Sequence, residues 1–301
     1  MALGYDKKLF ILAFDHRGSF QKKMFGIAGD PNEAETAKIV DAKTVIFDGF
    51  ARALAEGAPA GEAGVLVDEQ FGPDVARKAK ADGWTLAMPV ERSGIDYFDF
   101  EYGADFGAHI EAFDPTFSKI LVRFNPEGDA GNNEKSLTGL RALSDWLAAR
   151  DRKFLLELLV PGEPAQIEAA GSEDAYDTAV RPGLMRTVIA TMQDAGIEAD
   201  VWKIEGIDRR EDCEMIAEQT RAGGREGVGC VVLGRGADDA RVDHWLRTAA
   251  GVPGYLGFAI GRSIWWDQLK GYLDGSLSRE DAVGQIATNY RRYIDVYNGA
   301  A

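Results

Sequence analysis

The sequence predicts an α/β chain folded as a (β/α)8 barrel, on two observations. Eight short apolar runs punctuate its 301 residues, and the stretches between them repeat apolar residues at helical spacing. The runs are near-continuous rather than alternating, the pattern of strands buried on both faces. Strands that alternate with helices imply parallel βαβ units, and eight such units in roughly 250 residues is the barrel count. A doubly wound open sheet is the alternative. Against it, no G-x-G-x-x-G follows the first run and no Walker A motif is present. Gly234-Arg235-Gly236 begins such a fingerprint, but Asp239 stands where its third glycine belongs.

Chemistry in a barrel gathers at the C-terminal ends of the strands, so each run also nominates site residues. Leu9–Asp15 ends in Asp15-His16-Arg17-Gly18, and Gly64–Asp68 ends in Asp68-Glu69-Gln70. Thr85–Glu91 ends in Glu91-Arg92-Ser93-Gly94. Lys119–Phe124 carries Lys119 at its start and Arg123 near its end. Lys153–Val160 holds Glu157, and Asp200–Gly206 holds Lys203 and Glu205. Gly229–Gly234 leads into Arg235-Gly236, and Tyr255–Gly261 into Arg262-Ser263. Helical spacing covers Ala34–Glu56, Asp74–Lys80, Leu137–Arg150, Arg181–Ala195, Arg210–Ala222 and Ala240–Ala249. A last helix runs from the N-cap Ser278, with Asp281 three residues on, to Tyr297. Gly128–Asn133 and Ala58–Gly64 read as loops. The simplest organisation is a single domain over residues 1–301.

Lys203 and Glu157 are charged residues among strongly apolar neighbours in central strands. An isolated buried charge is costly, so each needs a partner or a changed protonation state. A buried salt bridge between strands five and six is one reading. The other is an amine that desolvation and a neighbouring cation, Lys119, keep available to attack a carbonyl, with Glu157 moving protons. At the seventh and eighth strand ends, Gly234, Arg235, Gly236, Gly261 and Arg262 suit a phosphate, held by backbone N–H groups and guanidinium. Asp96–Phe106, acidic and aromatic, is a lid or an anchored loop. Trp265-Trp266 is expected to pack at the barrel rim.

Composition limits the partners. With 34 basic and 49 acidic residues the net charge is −15, which disfavours nucleic acid and anionic lipid. An anionic substrate therefore needs positive groups gathered at the site. Two cysteines, Cys213 and Cys230, make neither a disulfide framework nor a zinc site and read as buried thiols. Among His16, His109 and His244 only the first lies at a strand end, so no metal is expected. The start has no signal-peptide core, Leu9–Phe14 is too short to span a bilayer, and a cytoplasmic location is expected.

The segments FDHRGSF, VDEQFG, PVERSG, FLLELLVP, WKIEG, VLGRGA and GFAIGRSIWW together resemble the class I aldolase-like domain of bifunctional 5-dehydro-2-deoxygluconokinase/5-dehydro-2-deoxyphosphogluconate aldolases of myo-inositol catabolism. The resemblance runs from about Leu9 to Tyr297, without the kinase half. More distantly the chain is similar to tagatose-bisphosphate and sulfofructose-phosphate aldolases. The resemblance implies a class I aldolase barrel that needs no cofactor, because the substrate is held as an imine on Lys203. It also implies Glu157 as acid/base, catalytic parts for Asp15 and Lys119, a substrate contact at Glu91, and phosphate binding at Arg262. Arg17, Asp68, Arg123 and Glu205 are the other candidate substrate contacts. A distal carboxylate falls to Arg17, Arg92, Arg123 or Arg235, among which the sequence does not choose. Two departures stand out: LGRGA replaces the serine–alanine–glycine turn of the distant relatives, and His16 replaces their glutamine. The implied reaction cleaves 5-dehydro-2-deoxygluconate 6-phosphate to dihydroxyacetone phosphate and malonate semialdehyde. Another phosphoketose, a decarboxylase or isomerase on the same barrel, or a phosphosugar-binding module without turnover are the rivals. The expected partners are a phosphosugar and further copies of the chain, with neither nucleic acid nor membrane.

Overall fold

A computed structural model describes residues 2–299; Met1, Ala300 and Ala301 of the expected 1–301 domain lie outside the described residues. Eight parallel strands close into a barrel: β1 (Leu9–Ala13), β2 (Ala63–Leu66), β3 (Thr85–Pro89), β4 (Phe117–Arg123), β5 (Lys153–Leu159), β6 (Val201–Glu205), β7 (Gly229–Leu233) and β8 (Tyr255–Ile260). Closure is direct, since β1 pairs in parallel with both β2 and β8. Six of the expected runs contain their strands, while β2 begins one residue before Gly64–Asp68 and β4 two residues before Lys119–Phe124, which puts Lys119 inside its strand; most of the polar residues that end the runs fall just beyond the last paired residue.

The helices are α1 (Gly18–Phe25), α2 (Glu33–Ala55), α3 (Pro73–Ala81), α4 (Phe106–Phe113), α5 (Ala130–Ala148), α6 (Pro164–Ala170), α7 (Glu173–Ala179), α8 (Arg181–Asp194), α9 (Arg210–Arg221), α10 (Asp239–Ala249), α11 (Arg262–Asp274) and α12 (Arg279–Asn298). Local chemistry sets several starts. Asn32 and Glu35 form a capping box on α2. Ser278 caps α12, accepting from the Asp281 N–H at 3.1 Å. Gly128–Asn133 is not wholly a loop: Asp129 accepts the Asn132 N–H at 2.7 Å and starts α5 at Ala130. The short α1, α4, α6 and α7, and α11 behind the eighth strand, go beyond the helices expected from spacing. No helix among the described residues is long and apolar enough to cross a membrane.

Alternation along a strand sends successive side chains to opposite faces. Leu9, Ile11, Ala13, Leu66, Ala87, Phe117, Leu155, Val201, Val231 and Ala259 form the inner cluster. Their neighbours Phe10, Leu12, Ile120, Leu156, Trp202 and Val232 belong to the larger core that also takes in the helices. The ring of Tyr5 meets Phe117 edge-on at 5.2 Å at the N-terminal end of the barrel. Two residues on from the inner cluster, at the same face, come Asp15, Lys119, Glu157 and Lys203. The fold thus delivers four ionisable groups onto an apolar floor.

Candidate active site

A cavity of about 800 Å³ opens at the C-terminal end of the barrel and is lined by residues from every strand end except the second, where only Gln70 of the following loop contributes. Its floor is an ion cluster. Glu157 and Lys203 are register partners on β5 and β6, and Lys203 Nζ lies 2.9 Å from Glu157 Oε2. Lys119 Nζ reaches the same oxygen at 3.0 Å, Asp15 at 2.9 Å and Glu91 at 3.0 Å. Lys119 is therefore enclosed by three carboxylates, whereas Glu157 is the carboxylate that meets Lys203.

The environment separates these groups electrostatically. Burial works against the Lys119 charge, but Asp15, Glu157 and Glu91 outweigh it and raise its affinity for its proton. Burial would raise Asp15 and Glu157; Lys119 and Lys203 overcome it and hold both below the ordinary carboxylate range. Glu91 is the exception. Burial prevails there and raises it, and its Oε2 is buried without a hydrogen-bond partner. Burial also lowers His16 to about 4, with Asp15 opposing and Arg262 assisting. The His16 ring meets Trp265 edge-on at 5.6 Å, and its Nδ1 is buried and unpartnered.

The remaining expected residues sort by what they touch. Arg17 donates to the Glu91 carbonyl at 2.7 Å and to Glu101 at 3.1 Å. It thereby ties the segment after β3 to the first strand end. That segment folds back: Glu91 bridges Phe100, the Arg92 N–H donates to the Asp99 carbonyl at 2.8 Å, and Phe100 stacks on Phe106 at 4.0 Å. Asp96–Phe106 is thus anchored by its aromatic residues, while Tyr97 and Glu101 form part of the cavity wall. Glu205 accepts from the Val160 N–H at 2.8 Å and pairs with Arg235 at 3.1 Å and Arg181 at 3.6 Å. Arg235 also pairs with Asp177 at 2.7 Å.

Asp68 requires correction, because it does not line the cavity. Strand β2 ends at Leu66, and the Asp68 carboxylate is ion-paired with Lys43 of α2 and accepts the Phe71 N–H at 2.8 Å. Lys43, fully buried, also donates to the carbonyls of Phe14 and His16 at 2.9 and 3.1 Å. This pair fixes the segment that carries Asp15, His16 and Arg17. Sequence reasoning missed Lys43, since a lysine on a surface helix ordinarily reads as solvated.

Gly234, Arg235, Gly236, Gly261 and Arg262 all line the same side of the cavity, at the ends of β7 and β8. Arg235 and Gly236 have φ of 50° and 73°, which turns the β7 loop sharply; a side chain at 236 would strike the Arg262 guanidinium at 2.7 Å. Arg262 donates to the Arg235 carbonyl at 3.0 Å and opens α11, whose first turn holds no acidic residue. Trp265 is buried and donates to the Ala13 carbonyl at 2.9 Å, consistent with packing at the rim. Cys213 and Cys230 are buried free thiols. Among the described residues no three His, Cys, Asp or Glu side chains gather as a metal site.

A family model described as "Uncharacterized protein conserved in bacteria (DUF2090)" matches residues 4–301, so the chain belongs to that family. No curated protein matches it in sequence. Three solved structures share the fold. The Corynebacterium glutamicum protein Cgl0159 is 21% identical, with a TM-score of 0.56 over 97% of this chain and 88% of its own. An archaeal fructose 1,6-bisphosphate aldolase is 16% identical, with a TM-score of 0.57 over 97% and 94%. An archaeal fructose-1,6-bisphosphate aldolase with its catalytic Lys covalently bound to the carbinolamine intermediate is 14% identical, with a TM-score of 0.58 over 96% and 94%.

Proposed function

We propose that this DUF2090 chain is a class I aldolase that cleaves a phosphorylated keto sugar or keto sugar acid. The observation that carries the reading is a primary amine, Lys203, buried at the floor of an open cavity, 2.9 Å from a carboxylate that a second ammonium, Lys119, also holds. The fold shared with Schiff-base aldolases supports it, and the resemblance of the strand-end segments supports the finer assignment.

The chemistry follows from the arrangement. Lys203 transfers its proton to Glu157 and attacks the substrate ketone. Glu157 returns that proton to the carbinolamine hydroxyl, which leaves as water and gives the imine; its positive nitrogen draws electrons from the adjacent carbon, and Glu157 is again ionised. Glu157 can hold the proton in between because, while Lys203 is the uncharged amine, one of the two charges that depress the carboxyl is gone. Glu157 then accepts the proton of the β-hydroxyl as the carbon–carbon bond breaks. An aldehyde leaves, and the enamine takes up a proton and is hydrolysed. With 5-dehydro-2-deoxygluconate 6-phosphate the C3–C4 bond breaks, malonate semialdehyde leaves, and dihydroxyacetone phosphate is released from Lys203. Lys119 stays charged throughout and aligns Asp15, Glu91 and Glu157. The phosphate lies against Arg262, Gly236 and the start of α11. No step calls for a metal or an organic cofactor. The chain acts in this reading as one domain, with further copies of itself as its expected partners.

Borohydride trapping with dihydroxyacetone phosphate, followed by peptide mass spectrometry, tests the reading. A reduced adduct on Lys203 is expected. A folded protein that binds the phosphate and gives no adduct removes the imine mechanism.

A further inference from the structure

The cavity is lined by five arginines, and carboxylates already face three of them. Arg17 meets Glu91 and Glu101, Arg235 meets Asp177 and Glu205, and Arg92 lies 3.8 Å from Asp99. Among the described residues Arg262 donates only to a backbone carbonyl. Arg123, exposed at the end of β4, has no hydrogen bond or ion pair among the described residues. Strands β4 and β8 are four apart in the eight-strand barrel, so Arg123 and Arg262 stand on opposite sides of its mouth. Strand β6, with Lys203, is midway between them. Register sets Lys203 level with Glu157 and Leu121, and Arg123 one inward layer nearer the opening, beside Leu159.

The two sides differ in what they offer an anion. Beside Arg262 there are glycine turns and a helix start free of acid. The loop after Arg123 satisfies itself: Asn125 accepts the Glu127 N–H, and the Asp129 side chain caps α5. Glu127 and Asp129 also add negative charge there. One planar guanidinium matches one carboxylate, in charge and in its two parallel N–H groups; a phosphate dianion calls for more donors than this side has. We infer that Arg123 binds the carboxylate at the end of the substrate opposite the phosphate, which makes the substrate a phosphorylated sugar acid rather than a bisphosphate or a neutral phosphoketose.

This deepens the aldolase reading and rests on it only for the place of the carbonyl, so the test uses ligands that have none. Titration calorimetry compares 6-phosphogluconate with glucitol 6-phosphate, which differ only in a carboxylate against a hydroxymethyl group. The wild type is expected to prefer the acid by about tenfold or more, the scale of one charge-assisted pair. Arg123→Gln is expected to remove that preference and leave glucitol 6-phosphate affinity and the unfolding midpoint unchanged. Arg262→Gln is expected to weaken both ligands alike. A wild type without the preference, or without measurable binding of either ligand, overturns the inference, as does a preference that survives in Arg123→Gln. Failure of borohydride trapping with the preference intact removes the imine and leaves the Arg123 assignment standing.

Discussion

Replacement of Lys203 by Met separates the chemistry from the fold. The side chain keeps its length and loses its charge. A buried pair broken on one side costs about 3–5 kcal/mol when the surviving charge is left alone. Glu157 is not left alone, because Lys119 remains 3.0 Å away. The expected loss is therefore smaller, about 1–3 kcal/mol. At about 2–4 °C per kcal/mol for a domain of a few hundred residues, the unfolding midpoint falls by roughly 2–12 °C. The pH dependence has a definite sign. Glu157 is held below its ordinary value, so its contribution is present above its unfolded value of about 4.3 and is lost as pH falls through the folded one. The stability gap between wild type and Lys203→Met is thus full at neutral pH and narrows in acid, as urea unfolding at several pH values will show. Turnover falls by something on the order of 10⁶-fold, the scale for loss of a covalent nucleophile, and borohydride gives no adduct. A variant that still turns over, or an adduct that moves to Lys119 in the wild type, would refute the assignment of the nucleophile.

Two further outcomes test the support around the site. Lys43→Met strands the Asp68 carboxylate and two backbone carbonyls, so urea denaturation should register a loss of about 3–5 kcal/mol, and the double variant Lys43→Met/Asp68→Leu should recover much of it; a double variant as unstable as the single one contradicts the pairing. His16, lowered to about 4 by burial, stays neutral in the fold while the unfolded chain takes up its proton near 6.5. Stability then rises with pH between about 4 and 6.5, and His16→Gln should flatten that rise by about 3 kcal/mol; an unchanged slope counts against it.

The barrel was legible in its eight near-continuous apolar runs, and the floor in the charged residues set within or at the ends of those runs. Lys119, Glu157 and Lys203 each follow an inward apolar residue at a spacing of two, and no partner from elsewhere is needed to see it. Asp68 also sits two residues beyond an inward residue, Leu66, yet it turns to α2. What diverts it is Lys43, twenty-five residues earlier, and a helix pattern does not reveal that one of its lysines is buried. Arg17 and Glu205 do line the cavity, but their hydrogen bonds and ion pairs already go to Glu91, Glu101, Arg235 and Val160. Helices α6 and α7, seven residues each, are too short to display a repeat, and their caps define them instead.

The net charge of −15 becomes intelligible once the cavity is read by layers. The floor holds Lys119 and Lys203 against Asp15, Glu91 and Glu157, so with all five ionised it is net negative and repels an anion. If Lys203 is the nucleophile, the floor cannot also be what binds the charged ends of the substrate. Attraction has to come from nearer the opening, and there Arg123 and Arg262 lack a carboxylate partner among the described residues while Arg17 and Arg235 are neutralised by theirs. Such a division has a chemical use. A nucleophilic amine beside a substrate phosphate would be held as its ammonium, whereas one that faces a single shared carboxylate can pass its proton on. Charges at the rim fix the ends of the chain, and the repulsive floor accepts only the neutral carbonyl between them. On this argument a positive charge added at the floor, as in Leu121→Lys, should let inorganic phosphate bind beside Lys203; calorimetric titration of phosphate into variant and wild type shows it, and equal affinities count against the division.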